Sequence, residues 1–597
     1  MAKRGRRNTF KNGAFVPPVD KGSAKKEAPA PPRDKRPSGG RKVRITLSDG
    51  STRPFDWGTP ANVALAAAEP VSDYPVVAAR FRNKVTSLTR PLDKNGTLEA
   101  IHLDSTDGGM IYRRSLSFVL IRAVAELFPG LRIYINHSIN KGYYAELYQK
   151  QGVLGDVVAL SEKDVQAIAR RMRAIVAADE PIVREEYGVE KAIEIFRKAG
   201  HLDKAEVLKY APPGTVSVYR LGGEINHFYG QLAPTTGSLK VFELVLEHPG
   251  FVLRFPEPSR PYEIPAHQPY GKMRDVLREY EQWMRVLSWR TVAQLNALID
   301  SNRVREYVLI AEALHEKRLA GIADTIKNHP RKPRIILLSG PSSSGKTTTV
   351  KRLAIQLRVL GYRPVVIGLD DFFVNREDTP KDEHGEFDFE SLHAINIPRL
   401  QECIRQLLRG DQVVVPKFNF QEGRSVEGEK HQLGEKEILI LEGIHALNDD
   451  LLPTIPDGLK FKIYASPLTH LNIDDHNRIS SSDARLIRRM VRDFNYRGYD
   501  AVDTIKRWPS VRRGEQKNIF PYQENADVIF NSALPYELSA LKPYALPVLN
   551  RVKQTAPEYA EAARLIKFLG YFRSLKSEYV PRHSLLREFI GGSCFTY

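Results

Sequence analysis

The residues Gly340-Pro341-Ser342-Ser343-Ser344-Gly345-Lys346-Thr347 follow the pattern G-x-x-x-x-G-K-S/T, a spacing that suits the holding of a polyphosphate. The two glycines let successive backbone N–H groups turn toward one anion. Lys346 is placed to reach the β- and γ-phosphates, and the Thr347 hydroxyl to ligate Mg²⁺. These eight residues, with Thr348 after them, are the candidate ATP-binding set, and Lys346 is also a candidate catalytic residue. Farther on, Asp370-Asp371 supplies a carboxylate pair, and Asp370 is the candidate general base for an attacking hydroxyl. Glu442 is the candidate second Mg²⁺ group, acting partly through water. Arg485, Arg488, Arg489 and Arg492 recur at helical spacing. Such a cationic helix suits a lid that closes over triphosphate and spreads its charge.

These side chains need a scaffold of a particular kind. The apolar run Ile335–Leu338 leads directly into the loop and a helix-compatible stretch, Thr347–Leu360, leaves it, which is the strand–loop–helix context the motif requires. Asp370 follows the strand-like Pro364–Gly368, and Glu442 ends the apolar run Ile438–Leu441. Carboxylates at the carboxyl ends of parallel strands face the ligand crevice of an α/β sheet. Residues 331–535 are therefore read as a P-loop α/β unit with a parallel sheet and flanking helices.

The rest of the chain divides into further units. Residues 43–104 read as a small β-grasp domain: a strand at Val43–Leu47, a turn at Ser48–Ser51, a short helix at Asn62–Ala68, and strands at Val76–Phe81 and Leu98–Leu103. Residues 105–251 read as an α+β domain whose first helix runs from about Arg113 to Phe128. Residues 252–330 open Pro-rich and continue as helices near Met273–Leu287 and Val304–Ala323. Residues 536–597 form a helical extension, broken at Pro543 and Pro547. The fold class is multidomain α/β and α+β.

The 597 residues are 42% hydrophobic and 27% charged, enough for several domains with their own cores. Two cysteines, Cys403 and Cys594, make no disulfide framework and fit a reducing, cytoplasmic setting. No apolar run approaches the length that spans a bilayer. Of the net charge of +18, residues 1–42 hold 13 Lys/Arg against 3 Asp/Glu, a surplus of 10. This Pro/Gly/Ser/Ala-rich tail should be disordered. Weak contact with RNA is one reading of it; a solvated, solubilising tail is the better one, since only Phe10 and Phe15 could stack on bases. Deleting residues 1–42 should leave small-substrate kinetics nearly unchanged. A large fall in kcat/KM on truncation would make the tail part of the catalytic apparatus.

Residues from about 333 to 532 resemble the uridine kinase/phosphoribulokinase family. The resemblance is carried by the phosphate loop, Leu369-Asp370-Asp371-Phe372-Phe373, Glu386-Phe387-Asp388-Phe389-Glu390, Pro416-Lys417-Phe418-Asn419-Phe420, Leu441-Glu442-Gly443-Ile444-His445 and Arg488–Asp493. It implies Asp370 as the base, Asp388 on the ribose hydroxyls of the acceptor, Arg489 on the acceptor and Arg492 on the nucleotide. Phe418 stands in the acceptor pocket where the family commonly has Tyr, and the run Gln421-Glu422-Gly423-Arg424 lacks the His expected nearby. Both changes touch groups that recognise a base.

Residues 43–250 resemble the front of threonyl-tRNA synthetase, a TGS domain followed by an editing domain. The carriers are Tyr112–Ser115, Ala125–Pro129, Val216–Arg220 and Ala233–Gly237. The family's His and Cys positions fall on Arg114, Phe118, Phe228 and Leu232. None of these offers a zinc ligand, so no zinc is expected and the resemblance implies a fold without its hydrolytic activity. The whole arrangement is similar to multidomain bacterial nucleoside kinases, which implies Mg²⁺-dependent transfer from ATP to a nucleoside 5′-hydroxyl, with uridine or cytidine as the type of acceptor. The alternatives are a kinase of a sugar phosphate or polyol, and an RNA- or ribosome-associated ATPase. Either an oligomer or a monomer is compatible with the sequence. A GTPase is disfavoured, because Asp382–Gly385 fits only the short D-x-x-G pattern and no guanine-reading motif follows.

Overall fold

The computed structural model describes residues 41–68, 72–149, 157–268, 270–381, 385, 387–419 and 421–596. Nearly all of the basic tail, the D-x-x-G segment up to residue 384, Glu386 and Phe420 lie outside the described residues.

The first unit is a mixed five-stranded sheet ordered Thr52–Asp56, Lys42–Thr46, Gly96–His102, Val76–Phe81, Lys84–Thr86, with the helix Ala61–Leu65 beside it. Its second and third strands pair in parallel, as in a β-grasp arrangement. The next unit carries a second five-stranded sheet, a three-stranded one, and the helices Thr106–Leu127 and Glu162–Ala177.

The first of these helices begins seven residues before the expected Arg113. Ser105 caps it by accepting from the Gly108 N–H at 3.0 Å. The added length takes in Gly108-Gly109, two glycines at sites of close approach. A Cβ on Gly108 would sit 1.9 Å from the His102 carbonyl oxygen, and one on Gly109 2.6 Å from Pro258.

The phosphate-loop unit is built on five parallel strands: β1 (Ile335–Ser339), β2 (Arg363–Gly368), β3 (Glu437–Glu442), β4 (Lys460–Ser466) and β5 (Val528–Asn531). Their order across the sheet is β2-β3-β1-β4-β5. Every residue of β1 is buried, which explains its unbroken apolar run: a central parallel strand is covered on both faces. Helix α1 (Lys346–Val359) follows the loop, and α2 (Ser481–Tyr496) carries the arginines.

The segment between the two halves is more than a connector. Its helices Gly271–Val286, Val292–Asp300 and Val304–Lys327 contribute to three shared cores. One core joins Phe196 and Leu208 of the front half to Leu486 and Met490 of α2 and to Leu541 and Leu565 near the C-terminal side. Polar contacts fix this junction. The fully buried Lys204 ammonium donates to Asp474 at 2.9 Å, and Asn472 donates to the Ile135 carbonyl at 2.8 Å.

The expected helix break at Pro543 and Pro547 is corrected: helix α3 (Glu537–Leu549) runs through both prolines. Pro543 cannot donate to the carbonyl four residues earlier, but that carbonyl, of Ser539, accepts from the Leu575 N–H at 2.9 Å. A tertiary contact replaces the missing helical bond.

Candidate functional site

Strand register brings the functional segments to one edge. Glu442 at the end of β3 pairs with Gly368 of β2 on one side and with Leu338 of β1 on the other. Asp370 lies two residues beyond Gly368, and Gly340 two residues beyond Leu338. The base candidate, the acidic strand end and the phosphate loop therefore leave the sheet at the same height. This is the crevice in which an open α/β sheet binds ligands.

The loop's shape requires its glycines. A Cβ on Gly340 would lie 2.0 Å from the Ala465 carbonyl oxygen, and Gly345 has φ +82°, which L side chains rarely adopt. Pro341, Ser342, Ser343 and Ser344 form the turn between them, and Ser343 also takes a positive φ of 58°. Lys346 opens α1 and its ammonium donates to the Pro341 carbonyl at 3.3 Å. The Thr347 hydroxyl donates to the Glu442 carboxylate at 3.2 Å. A hydroxyl and a carboxylate in contact are a donor set that fits Mg²⁺.

Burial pushes the Glu442 carboxyl up to about 7; the Lys346 ammonium opposes this, and Asp370 and Glu588 reinforce it. Asp370 stands open to solvent at the mouth of the crevice, yet the protein packed on its other sides raises its carboxyl above the ordinary value. Lys346 is the strongest charge acting against that rise, ahead of Arg497 and Arg492. Direct access to water favours retention of the ionised form at neutral pH, the form that can accept a proton. Asp371 accepts from the Phe418 N–H. Phe418 itself is buried and meets Phe373 edge-on at 5.6 Å.

The four arginines of α2 divide into two pairs. Arg485 and Arg488 are buried, which corrects the expectation of a cationic lid for these two. Arg485 is held by both carboxylate oxygens of Glu515 and donates to the Ser342 carbonyl at 3.1 Å. Arg488 is paired with Glu537 and donates to the Ser532 carbonyl at 2.9 Å. They clamp the phosphate loop from behind, a role the sequence hid because both acids lie downstream of α2. Arg489 and Arg492 stand closer to the crevice. Arg489 donates to the Ser342 hydroxyl at 2.8 Å, and both arginines pair with Asp493.

Asp388 is half-buried, and its carboxylate accepts from the Glu390 N–H at 3.1 Å. Of the two acids, Glu390 interacts more with the centre. Burial pushes its carboxyl up to about 7; Glu515 reinforces the rise, while Arg489 and Lys346 oppose it. One of its oxygens is enclosed without a protein hydrogen bond. Glu390, Arg497, Glu515 and Glu588 are site neighbours that the sequence did not single out. Arg497 caps the end of α2, off the helical spacing of the four arginines. Glu515 and Glu588 have no local signal.

As the expected Mg²⁺ group, Glu442 would set an acid limb for activity. Ionised Glu442 is the form that holds a divalent cation, so kcat/KM for ATP should rise with pH through about 7. Raising Mg²⁺ should move that midpoint down, because the metal favours the ionised carboxylate. The elevated values of Glu442 and Glu390 make the ligand-free protein lose stability as pH rises from about 4.5 to about 7, the window in which the folded state holds protons the unfolded chain has released. Rate profiles at two Mg²⁺ concentrations and melting curves across that window check both signs. A flat rate profile between about pH 6 and 8 would remove Glu442 from the working site.

In the front unit, the four positions expected to lack zinc ligands lie in or beside one core. Phe118 and Phe228 pack at 5.5 Å between centroids, Leu232 belongs to the same core, and Arg114 donates to the Tyr229 carbonyl at 3.0 Å. Among the described residues no cluster of three or more His, Cys, Asp or Glu is placed to share a metal. Among them, too, no helix is long and apolar enough to cross a membrane.

Comparison with known proteins finds two separate likenesses. Residues 335–538 match the family model described as Phosphoribulokinase / Uridine kinase family. The front of the chain is similar to threonine–tRNA ligases. It is 32% identical over 204 residues to that of Syntrophotalea carbinolica, covering 34% of this chain and 31% of the relative. It is 30% identical over 204 residues to threonine–tRNA ligase 1 of Bacillus subtilis, covering 34% and 31%. The chain thus spans about a third of the length of these relatives. A solved structure described as a possible uridine kinase from Bacillus stearothermophilus is similar over 36% of this chain and 98% of its own, at 18% identity and a TM-score of 0.26. The 335–538 segment is thus similar to that kinase family, and the front half to threonine–tRNA ligases.

Proposed function

We propose that this chain is an ATP-dependent phosphotransferase acting on a small hydroxyl substrate, and more narrowly a nucleoside kinase that phosphorylates the 5′-hydroxyl. One observation carries the reading: the phosphate loop, Glu442 and Asp370 share one sheet edge, and Lys346 is the foremost charge acting on Asp370. In this reading the loop N–H groups and Lys346 hold the triphosphate, and Arg489 and Arg492 flank it. Thr347 and Glu442 would hold Mg²⁺, which supplies charge neutralisation on the β- and γ-phosphates. Asp370 takes the proton as the acceptor oxygen attacks in line with the leaving group.

The nucleoside is favoured by the aromatic pair Phe373–Phe418 beside the acid pair, an apolar flank suited to a planar base. Asp388, one turn from Glu390, is the proposed partner of the ribose hydroxyls. The test is a screen with γ-labelled ATP against nucleosides, sugar phosphates and polyols, with the products identified by mass and linkage. A nucleoside 5′-phosphate is the expected product. A labelled sugar phosphate or polyol would overturn the nucleoside assignment, and RNA-stimulated ATP hydrolysis with no phosphorylated small product would overturn the kinase.

A further inference from the structure

The 577–596 segment returns to the phosphate loop. The Glu588 carboxylate accepts from the Thr348 N–H at 3.2 Å and from the Thr348 hydroxyl at 2.6 Å, across 240 residues of sequence. Beside it, the Leu585 side chain lies so close to Gly345 that a Cβ there would be 2.5 Å away. Thr348 is fully buried, and Lys351 donates to the Thr596 carbonyl at 2.6 Å. The segment is itself braced: Arg587 donates to the carbonyls of Ser577, Val580 and Gly591, at 2.8, 2.6 and 3.1 Å. Arg488, behind the loop, lies over the Phe589 ring at 5.4 Å.

Thr348 is the third residue of α1, so its N–H is one of the four that a helix leaves without an internal partner. In a helix that begins with a phosphate loop, those donors are the ones offered to the nucleotide's phosphates. The cap residue, Gly345, has no side chain to satisfy them. Here a carboxylate from a distant segment does so instead. An anionic oxygen on this N–H and hydroxyl occupies the place, and answers the charge, of a phosphate oxygen. Two anions cannot share one donor pair at hydrogen-bond distance without strong repulsion.

We infer that the 577–596 segment is an autoinhibitory latch: Glu588 occupies a phosphate position of the loop and must be expelled for a nucleoside triphosphate to seat. The inference rests on the nucleotide-binding reading of Gly340–Thr348. The latch lowers affinity for ATP by the stability of its own contact. It also couples nucleotide binding to release of the segment that covers Gly345. Its neighbour Glu442, which accepts from the Thr347 hydroxyl, is relieved of an adjacent negative charge when Glu588 leaves.

The test is calorimetric titration of the full chain with Mg-ATP, comparing wild type, Glu588→Ala and Lys346→Ala. Loss of a charged hydrogen bond from the competing state should make Glu588→Ala bind about tenfold more tightly than wild type, while Lys346→Ala binds poorly. Equal affinities for wild type and Glu588→Ala would overturn the latch and leave the nucleotide site standing. Absence of ATP binding in every form would overturn both. Hydrogen exchange on the unmutated protein gives a second measure that no folding defect can confuse. The Glu588, Phe589 and Ile590 amides are bonded to Leu585 and Leu586. They should exchange about tenfold or more faster at saturating Mg-ATP. Unchanged protection there with ATP bound would overturn the latch.

Discussion

Asp370→Asn should lower kcat by about 10²–10⁴-fold, the range for a lost general base, while the dissociation constant for ATP changes by no more than about twofold. Asparagine keeps the shape and the hydrogen-bonding reach of aspartate but cannot accept the proton of an attacking hydroxyl at neutral pH. Among the described residues Asp370 has no side-chain hydrogen bond or ion pair to lose: it sits exposed in the one-turn 3₁₀ segment Leu369–Phe372, which the burial of Leu369 and Phe372 anchors. Removing its charge frees Lys346 from a competing anion, so ATP affinity should hold or rise slightly. The measurements are single-turnover transfer for chemistry and equilibrium titration for binding. A fall in kcat of less than tenfold would mean that the proton leaves by another route, and the enclosed, unpartnered oxygen of Glu390 would be the next group to test.

What could be read in advance was local, and what could not was tertiary. The phosphate loop, the apolar strands that lead to it and the acid at the adjoining strand tip are contiguous runs with fixed spacing, and the register of β1, β2 and β3 brings them together as that spacing requires. The arginines of α2 were only half legible. Helical spacing put them on one element, but burial of Arg485 and Arg488 depends on Glu515 and Glu537, which arrive from later segments. An isolated run of arginines resembles a solvated face until its partners are known. Glu588 is the extreme case, since nothing near it in sequence marks it as a neighbour of Thr348. Pro543 misled in the opposite direction. Propensity makes it a breaker, but the Leu575 N–H on the Ser539 carbonyl overrules it.

The buried arginines also set the largest stability effect. Glu537→Ala should destabilise the chain by about 3–5 kcal/mol, because it leaves the Arg488 guanidinium without its counter-ion in a site closed to water. Arg488 is 0% exposed and Glu537 2%, so neither charge can be rehydrated without opening the core. Glu537 also accepts from the Leu534 N–H at 3.0 Å, so its removal strands a second donor. The consequence reaches the site. Arg488 donates to the Ser532 carbonyl, and the Ser532 hydroxyl in turn donates to the Ser344 carbonyl at 2.5 Å, so the pair holds the floor of the phosphate loop. ATP affinity should fall along with the urea midpoint. The companion Glu537→Leu/Arg488→Met, which removes both charges and keeps the volume, should recover most of the lost stability but not the loop's geometry. Comparing the two variants separates the cost of an orphaned charge from the value of the clamp. A loss below about 1 kcal/mol for Glu537→Ala would mean that water reaches Arg488 after all, and that the loop is held by its glycines and β1 alone.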